Sequence, residues 1–130
     1  MVAAHGQLAT ALLKSAEGIV GSIPRVAAVD ISDSDTRQSI EAKIEKALRR
    51  VAADGSVLFL TDIFGASAGN LARQFVSRYD LRIVAGVNLP MLLEVATHRD
   101  EENVDKLSRR VEKTGKVAVL DSARMRKTKR

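Results

Sequence analysis

Four consecutive apolar residues, Val57-Leu58-Phe59-Leu60, follow an Asp54-Gly55 turn signal and precede the loop TDIFGAS. A strand with one face in water alternates apolar and polar side chains. An unbroken run suits a central strand of a parallel sheet, covered on both faces. Such a sheet needs crossover helices, and helical patterns flank the run. Upstream, Ile40, Ile44, Ala47, Leu48 and Val51 make one apolar stripe, with Glu41, Lys43, Glu45, Lys46, Arg49 and Arg50 largely off it. Ser32, Ser34 and Asp35 offer capping oxygens for that helix. Downstream, Ser67 is placed to cap a helix carrying Leu71, Ala72, Phe75 and Val76.

The alternation runs the length of the chain. Val2-Ala3-Ala4 reads as a first strand. Leu8, Leu12, Ala16 and Ile19 recur at helical spacing, and Gly21 and Pro24 close that helix. Val26 to Ile31 reads as a second strand and Leu81 to Ala85 as a fourth. GVNLP turns into another helix, with Pro90 tolerated in its first turn. Val104, Leu107 and Val111 mark a final helix, ended by Gly115, and Val117 to Leu120 reads as a last short strand. Repeated strand–helix units predict an α/β fold, an open and mostly parallel sheet with helices on both faces. The 130 residues hold no internal repeat or linker, so residues 1–122 are read as one domain and 123–130 as a basic tail.

Composition narrows the chemistry. Cysteine is absent, which excludes disulfides, zinc–thiolate sites and thiol nucleophiles. Aromatic residues make up only 3% and there is no tryptophan, so stacking platforms for single-stranded nucleic acid are not expected. The net charge of +5 owes a visible part to Arg124, Arg126, Lys127, Lys129 and Arg130. No recognition motif accompanies that tail, so it is read as a solvated end and no nucleic-acid partner is expected. No stretch approaches the roughly 20 apolar residues of a membrane span, and no basic segment with an apolar core suggests a signal peptide. Asp30, Asp33 and Asp35 straddle a strand end and a helix cap, a poor spacing for a compact cation cage. Neither a metal nor a cofactor is expected.

Ligands of open α/β sheets bind at the carboxyl ends of strands, where the strand order reverses. With the first strand central, the second on one side and the third on the other, that reversal falls between strands one and three. His5 ends strand one and Asp62 ends strand three, so the topology brings them together. A carboxylate that accepts the proton of one imidazole nitrogen leaves the other with a free lone pair. His5 is then a nucleophile and Asp62 its orienting partner. The setting suits an anionic electrophile such as a phosphoryl group. His5-Gly6 opens a helix, and Gly65, Ala66 and Ser67 lead into a second helix start on the same edge. Asp62 also has the chemistry to cap the following turn. His98, in ATHRD near a helix end, reads as a partner of the helix dipole. Asn88 and Pro90 shape a turn. Met91 and Leu92 suit either the core or a partner contact.

AHG near the start, LFLTDIFGAS in the middle and VAGVNLPMLLE later occur here in that order. Together they resemble the mannose-type (mannose/fructose/sorbose) IIA component, EIIA, of the bacterial phosphoenolpyruvate-dependent sugar phosphotransferase system (PTS). The similarity runs over nearly the whole chain, up to the basic tail. It implies a cytoplasmic protein, associated with the membrane through partner subunits, whose short antiparallel final strand is exchanged in a homodimer. It implies that His5 accepts a phosphoryl group from the carrier protein HPr, itself charged through enzyme I. The group then passes to a IIB component (EIIB) and on to sugar entering through membrane IIC and IID partners (EIIC and EIID). Asp62 matches the family's ring-orienting aspartate, and Gly65 and Ser67 its phosphate-side loop. A regulatory module, whose phosphorylated His5 is read by another protein without transport, is the alternative. Three features depart from the family pattern: only four residues precede His5, the loop reads GASAG where GGSP is common, and ARMRKTKR lies outside the family core.

Overall fold

The computed structural model describes residues 1–52, 55–65 and 67–125. Asp54, Ala66 and the basic residues 126–130 of the tail lie outside the described residues. The elements run β1 (Val2–His5), α1 (Leu8–Val20), β2 (Ala28–Ile31), α2 (Arg37–Val51), β3 (Ser56–Thr61), α3 (Ser67–Ala72), β4 (Asp80–Ala85), α4 (Leu89–His98) and α5 (Val104–Val117). Short 3-10 turns follow α3 at Arg73–Phe75 and α5 at Ser122–Arg124. The strands form one sheet in the order β2-β1-β3-β4, and every pairing is parallel. β1 is therefore central, with β2 and β3 on either side, as the sequence predicts.

The apolar run of β3 is explained by its two neighbours. Val57 and Phe59 pack into a core layer with α2 and α3, while Leu58 and Leu60 pack into a second layer with α1, α4 and α5. β1 divides in the same way, with Ala3 on the first side and Val2 and Ala4 on the second. Though short, β1 is well held. All four of its residues are in register with β2, from Val2 opposite Ala28 to His5 opposite Ile31. On the other side it pairs with Leu60 and Thr61 at the end of β3.

Several local expectations are revised. The face of α1 turned to the sheet carries Ala9 and Ala16, while Leu8 and Ile19 are exposed. Alanines let the helix lie close to the alanine-rich β1; Leu12 packs at the edge of that core layer, while Leu8 and Ile19 are turned outward. The cap of α2 is Thr36, which forms a reciprocal capping box with Ser39, in place of Ser32, Ser34 or Asp35. Asp35 instead accepts from Lys43 Nζ at 2.6 Å, from Ser32 N–H and from the Ser39 hydroxyl. The lysine, followed by these donors, holds its carboxyl well below the usual carboxylate range. β2 begins at Ala28, two residues later than expected. Ser67 is the first residue of α3, and that helix gives way to the 3-10 turn before Val76, which is exposed.

The largest revision lies at the carboxyl end. Gly115 does not stop α5; the helix continues to Val117, and residues 118–120 form no strand. Gly115 faces α4 instead, where a Cβ would stand 2.5 Å from Met91 Sδ and 2.8 Å from its Cγ. The glycine is there for close helix approach. Asn88 completes the junction: its Oδ1 caps α4 through Met91 N–H and its Nδ2 donates to the Gly115 carbonyl at 3.1 Å. Met91 and Leu92 are both buried, which settles them as core residues. Alanine is favoured over glycine by about 1 kcal/mol inside a helix. Overpacking a core costs about 1–3 kcal/mol, so the clash should win. Gly115→Ala is expected to lower the urea midpoint, with a net loss of about 1 kcal/mol. In a Met91→Ala background the same change should become neutral or stabilising, which a double-mutant cycle reads directly.

Candidate active site

β1 leads into α1 on one face of the sheet, and β3 leads into α3 on the other. The two connections diverge at the carboxyl ends of β1 and β3, where the strand order reverses. His5 closes β1 on one side of this switch point. Asp62, the first residue after β3, lies on the other. Residues 57 positions apart in sequence thus meet at hydrogen-bond distance.

The contact has three parts. Asp62 Oδ2 lies 2.8 Å from His5 Nδ1 and also accepts the His5 backbone N–H at 3.0 Å. Asp62 Oδ1 accepts the Ile63 N–H at 3.0 Å. Burial pushes the Asp62 carboxyl upward, but the hydrogen bonds from the His5 N–H and ring outweigh it, so the group titrates below its ordinary value. It is an ionised, acceptor-only partner, and Nδ1 must carry the hydrogen. Nε2 is left with its lone pair. The histidine side chain is 57% exposed and the aspartate side chain 11%, so a sheltered carboxylate holds a ring that faces solvent. A depressed carboxyl contributes stability above its unfolded value, about 3.9, and loses it as pH falls through the lower folded value. The unfolding free energy of wild type relative to Asp62→Asn is therefore expected to carry this acid dependence. It should shrink below about pH 4, as acid-to-neutral urea titrations would read.

Gly6 turns the chain from β1 into α1 at φ +60, a left-handed conformation that would strain other residues. Its N–H is taken by the Ile31 carbonyl at 2.8 Å, so its part is the turn. Gly65 turns in the same way at φ +79, beside the exposed Ser67 at the start of α3. Ala66 between them lies outside the described residues. α3 packs close to the end of β3, where a Cβ on Gly69 would lie 3.8 Å from the buried Thr61.

One neighbour of the site was not assigned to it from sequence. Asp30, in β2 beside Ala4, accepts the Thr10 N–H at 3.1 Å and the Thr10 hydroxyl, capping α1 from the adjacent strand. It places a carboxylate charge at the same positive helix end that an anion on His5 would use. The two residues are 20 positions apart, and no linear capping pattern announces them. His98 takes no part in the site. It ends α4 with Nε2 3.4 Å from Glu94 and Nδ1 3.3 Å from Glu101.

A carboxylate-oriented imidazole at the switch point of a four-stranded parallel sheet defines an α/β domain that presents an imidazole nitrogen at its surface. Known proteins give that class a family. The family model for the PTS system fructose IIA component matches residues 1–112, and the chain belongs to that family. It is 35% identical over 101 residues to the PTS system fructose-specific EIIA component of Bacillus subtilis, covering 77% of this chain and 69% of that one. It is 32% identical over 121 residues to the PTS system mannose-specific EIIAB component of Escherichia coli, covering 92% of this chain but only 38% of that longer protein. Among solved structures, the mannose/sorbose specific IIA subunit from Enterococcus faecalis superposes with a TM-score of 0.86 at 32% identity, covering 98% of this chain and 96% of that one. Among the described residues no helix is long and apolar enough to cross a membrane.

Proposed function

We propose that this chain is a phosphoryl carrier of the sugar phosphotransferase system. His5 Nε2 attacks the phosphorus of phospho-HPr. The Nε2–phosphorus bond forms as the donor's bond to phosphorus breaks, and the electron pair leaves with the donor. The ring gains positive charge as this happens. That charge is shared with Nδ1–H, 2.8 Å from the Asp62 carboxylate, and this geometry is the observation that carries the proposal. The phosphoryl oxygens are held by backbone N–H groups at the start of α1 and by the Gly65–Ser67 loop with its hydroxyl. The reverse step hands the group to a IIB component, and from there to sugar entering through IIC and IID subunits in the membrane.

Incubation with phosphoenolpyruvate, enzyme I and HPr should add one acid-labile phosphoryl group, read by intact mass. Adding a IIB partner should discharge it. Unchanged mass in a folded sample would overturn the carrier reading. Charging that no IIB can discharge would leave the regulatory role.

The carrier is expected to act as a homodimer. β4 is an edge strand, and beside it the groove between β4 and α5 opens with a volume of about 500 Å³. Val119 lines this groove, and Val117, Val119, Leu120 and Met125 are all exposed in the single chain. Residues 118–120, which form no strand in the single chain, would cover both features if they paired as an exchanged strand with a second copy. Sedimentation should show a dimer, and Val119→Asp with Leu120→Asp should shift it to monomer.

A further inference from the structure

A cavity of about 430 Å³ lies at the amino ends of the strands, the end of the sheet opposite His5 and Asp62. Its walls include Arg25 and Val26 ahead of β2, Val57 in β3, Val95 in α4, Arg99 just after α4 and Leu107 in α5. The volume falls in the range of small-molecule sites, which join apolar walls to a few converging polar groups. Val26 and Val95 are only partly buried, so apolar surface is left uncovered in the cavity.

The two arginines supply the polar groups. Arg99 is partly buried, yet its guanidinium makes no hydrogen bond or ion pair among the described residues. Two carboxylates line the same cavity, but both are engaged elsewhere: Asp100 with Arg25, and Glu102 with Arg110 at 2.6 Å. Arg25 is the one non-glycine residue at positive φ among the described residues, at φ 55. Such outliers gather where a side chain grips a ligand. Its ion pair with Asp100 spans 3.6 Å between two exposed side chains, a contact worth little in water. A ligand would displace it at small cost. Guanidinium forks match the oxygens of phosphate and carboxylate groups. We propose that this cavity binds a small organic oxyanion, a phosphate or carboxylate on a short apolar body. Arg99 and Arg25 hold the oxygens, and the body rests on Val26 and Val95. The site does not rest on the carrier reading, since it shares no residue with the His5 edge.

Phenylphosphate and benzoate carry the two head groups on one apolar body, and phenol carries the body alone. At low salt, amide chemical shifts of the full chain are expected to move at Arg25, Val26, Arg99 and Asn103 with at least one of the anions. Saturation should give a Kd of about 1 mM or tighter. The tighter anion identifies the head group. Arg99→Gln should weaken that binding at least about tenfold, as loss of a charged hydrogen-bond partner does. Arg25→Gly should weaken it as well, with Tm nearly unchanged, because relief of the left-handed turn offsets glycine's extra freedom in the unfolded chain. Absence of saturable shifts at these residues with either anion would overturn the proposal. So would equal affinity for phenol, which would make the cavity an apolar one, or shifts confined to His5 and Asp62, which would place the anion at the other edge. Undiminished affinity in both arginine variants would overturn it too.

Discussion

His5→Ala is expected to fold as the wild type does and to take no phosphoryl group from phospho-HPr. The ring is more than half exposed, so its removal leaves no buried cavity. The β1 registers and the His5 N–H bond to Asp62 use only backbone atoms of residue 5, and alanine retains them. Stability should therefore change little, while the nucleophilic nitrogen is gone. No substitute is at hand. The other histidine, His98, sits at the end of α4 between Glu94 and Glu101. Intact mass after incubation with phosphoenolpyruvate, enzyme I and HPr reads the outcome. A phosphoryl group on the alanine variant would remove His5 from the mechanism.

Asp62→Asn is expected to slow single-turnover transfer by about 10²- to 10⁴-fold, the range in which a positioned base or its orienting partner contributes. The carboxylate has acceptors on both sides: Oδ2 serves the His5 N–H and Nδ1, and Oδ1 serves the Ile63 N–H. An amide has one acceptor and one donor end. If its oxygen faces His5, its NH₂ confronts the Ile63 N–H. If it is flipped, its NH₂ confronts the His5 N–H and drives the ring toward the tautomer with the hydrogen on Nε2. Either way the ring loses its orientation, its partner charge, or both. Circular dichroism should be unchanged, because the pair lies at the end of the strands. A wild-type rate in this variant would exclude Asp62 from the chemistry.

Much of this was legible in the residues. The unbroken apolar run of Val57 to Leu60 requires cover on both faces, and Leu58 and Phe59 do enter opposite layers. The placement of His5 beside Asp62 follows from strand order alone, once the first strand is central. The motifs AHG, LFLTDIFGAS and VAGVNLPMLLE indicate the family. Other features were misread for one physical cause. Gly115 carries the usual mark of a helix end, but its conformational freedom is not what the position needs. The approach of Met91 is, and Met91 lies on another helix. Leu8 and Ile19 fit a helical stripe as well as Ala9 and Ala16 do. Periodicity alone does not say which set the sheet has room for.

By itself the sequence determined the layers, the direction of the strands and the edge that carries His5 and Asp62. These follow from local period and chain connectivity, which every short segment records independently. Tertiary structure decided which face of α1 is buried, that Asp30 caps that helix from the next strand, and that α5 runs on past Gly115. It also decided that Phe64 and Ile63 stand exposed beside a sheltered Asp62. Those outcomes depend on distances between elements far apart in the chain. Such distances are set by side-chain volumes meeting across a packed layer, and no single segment contains both sides of that contact.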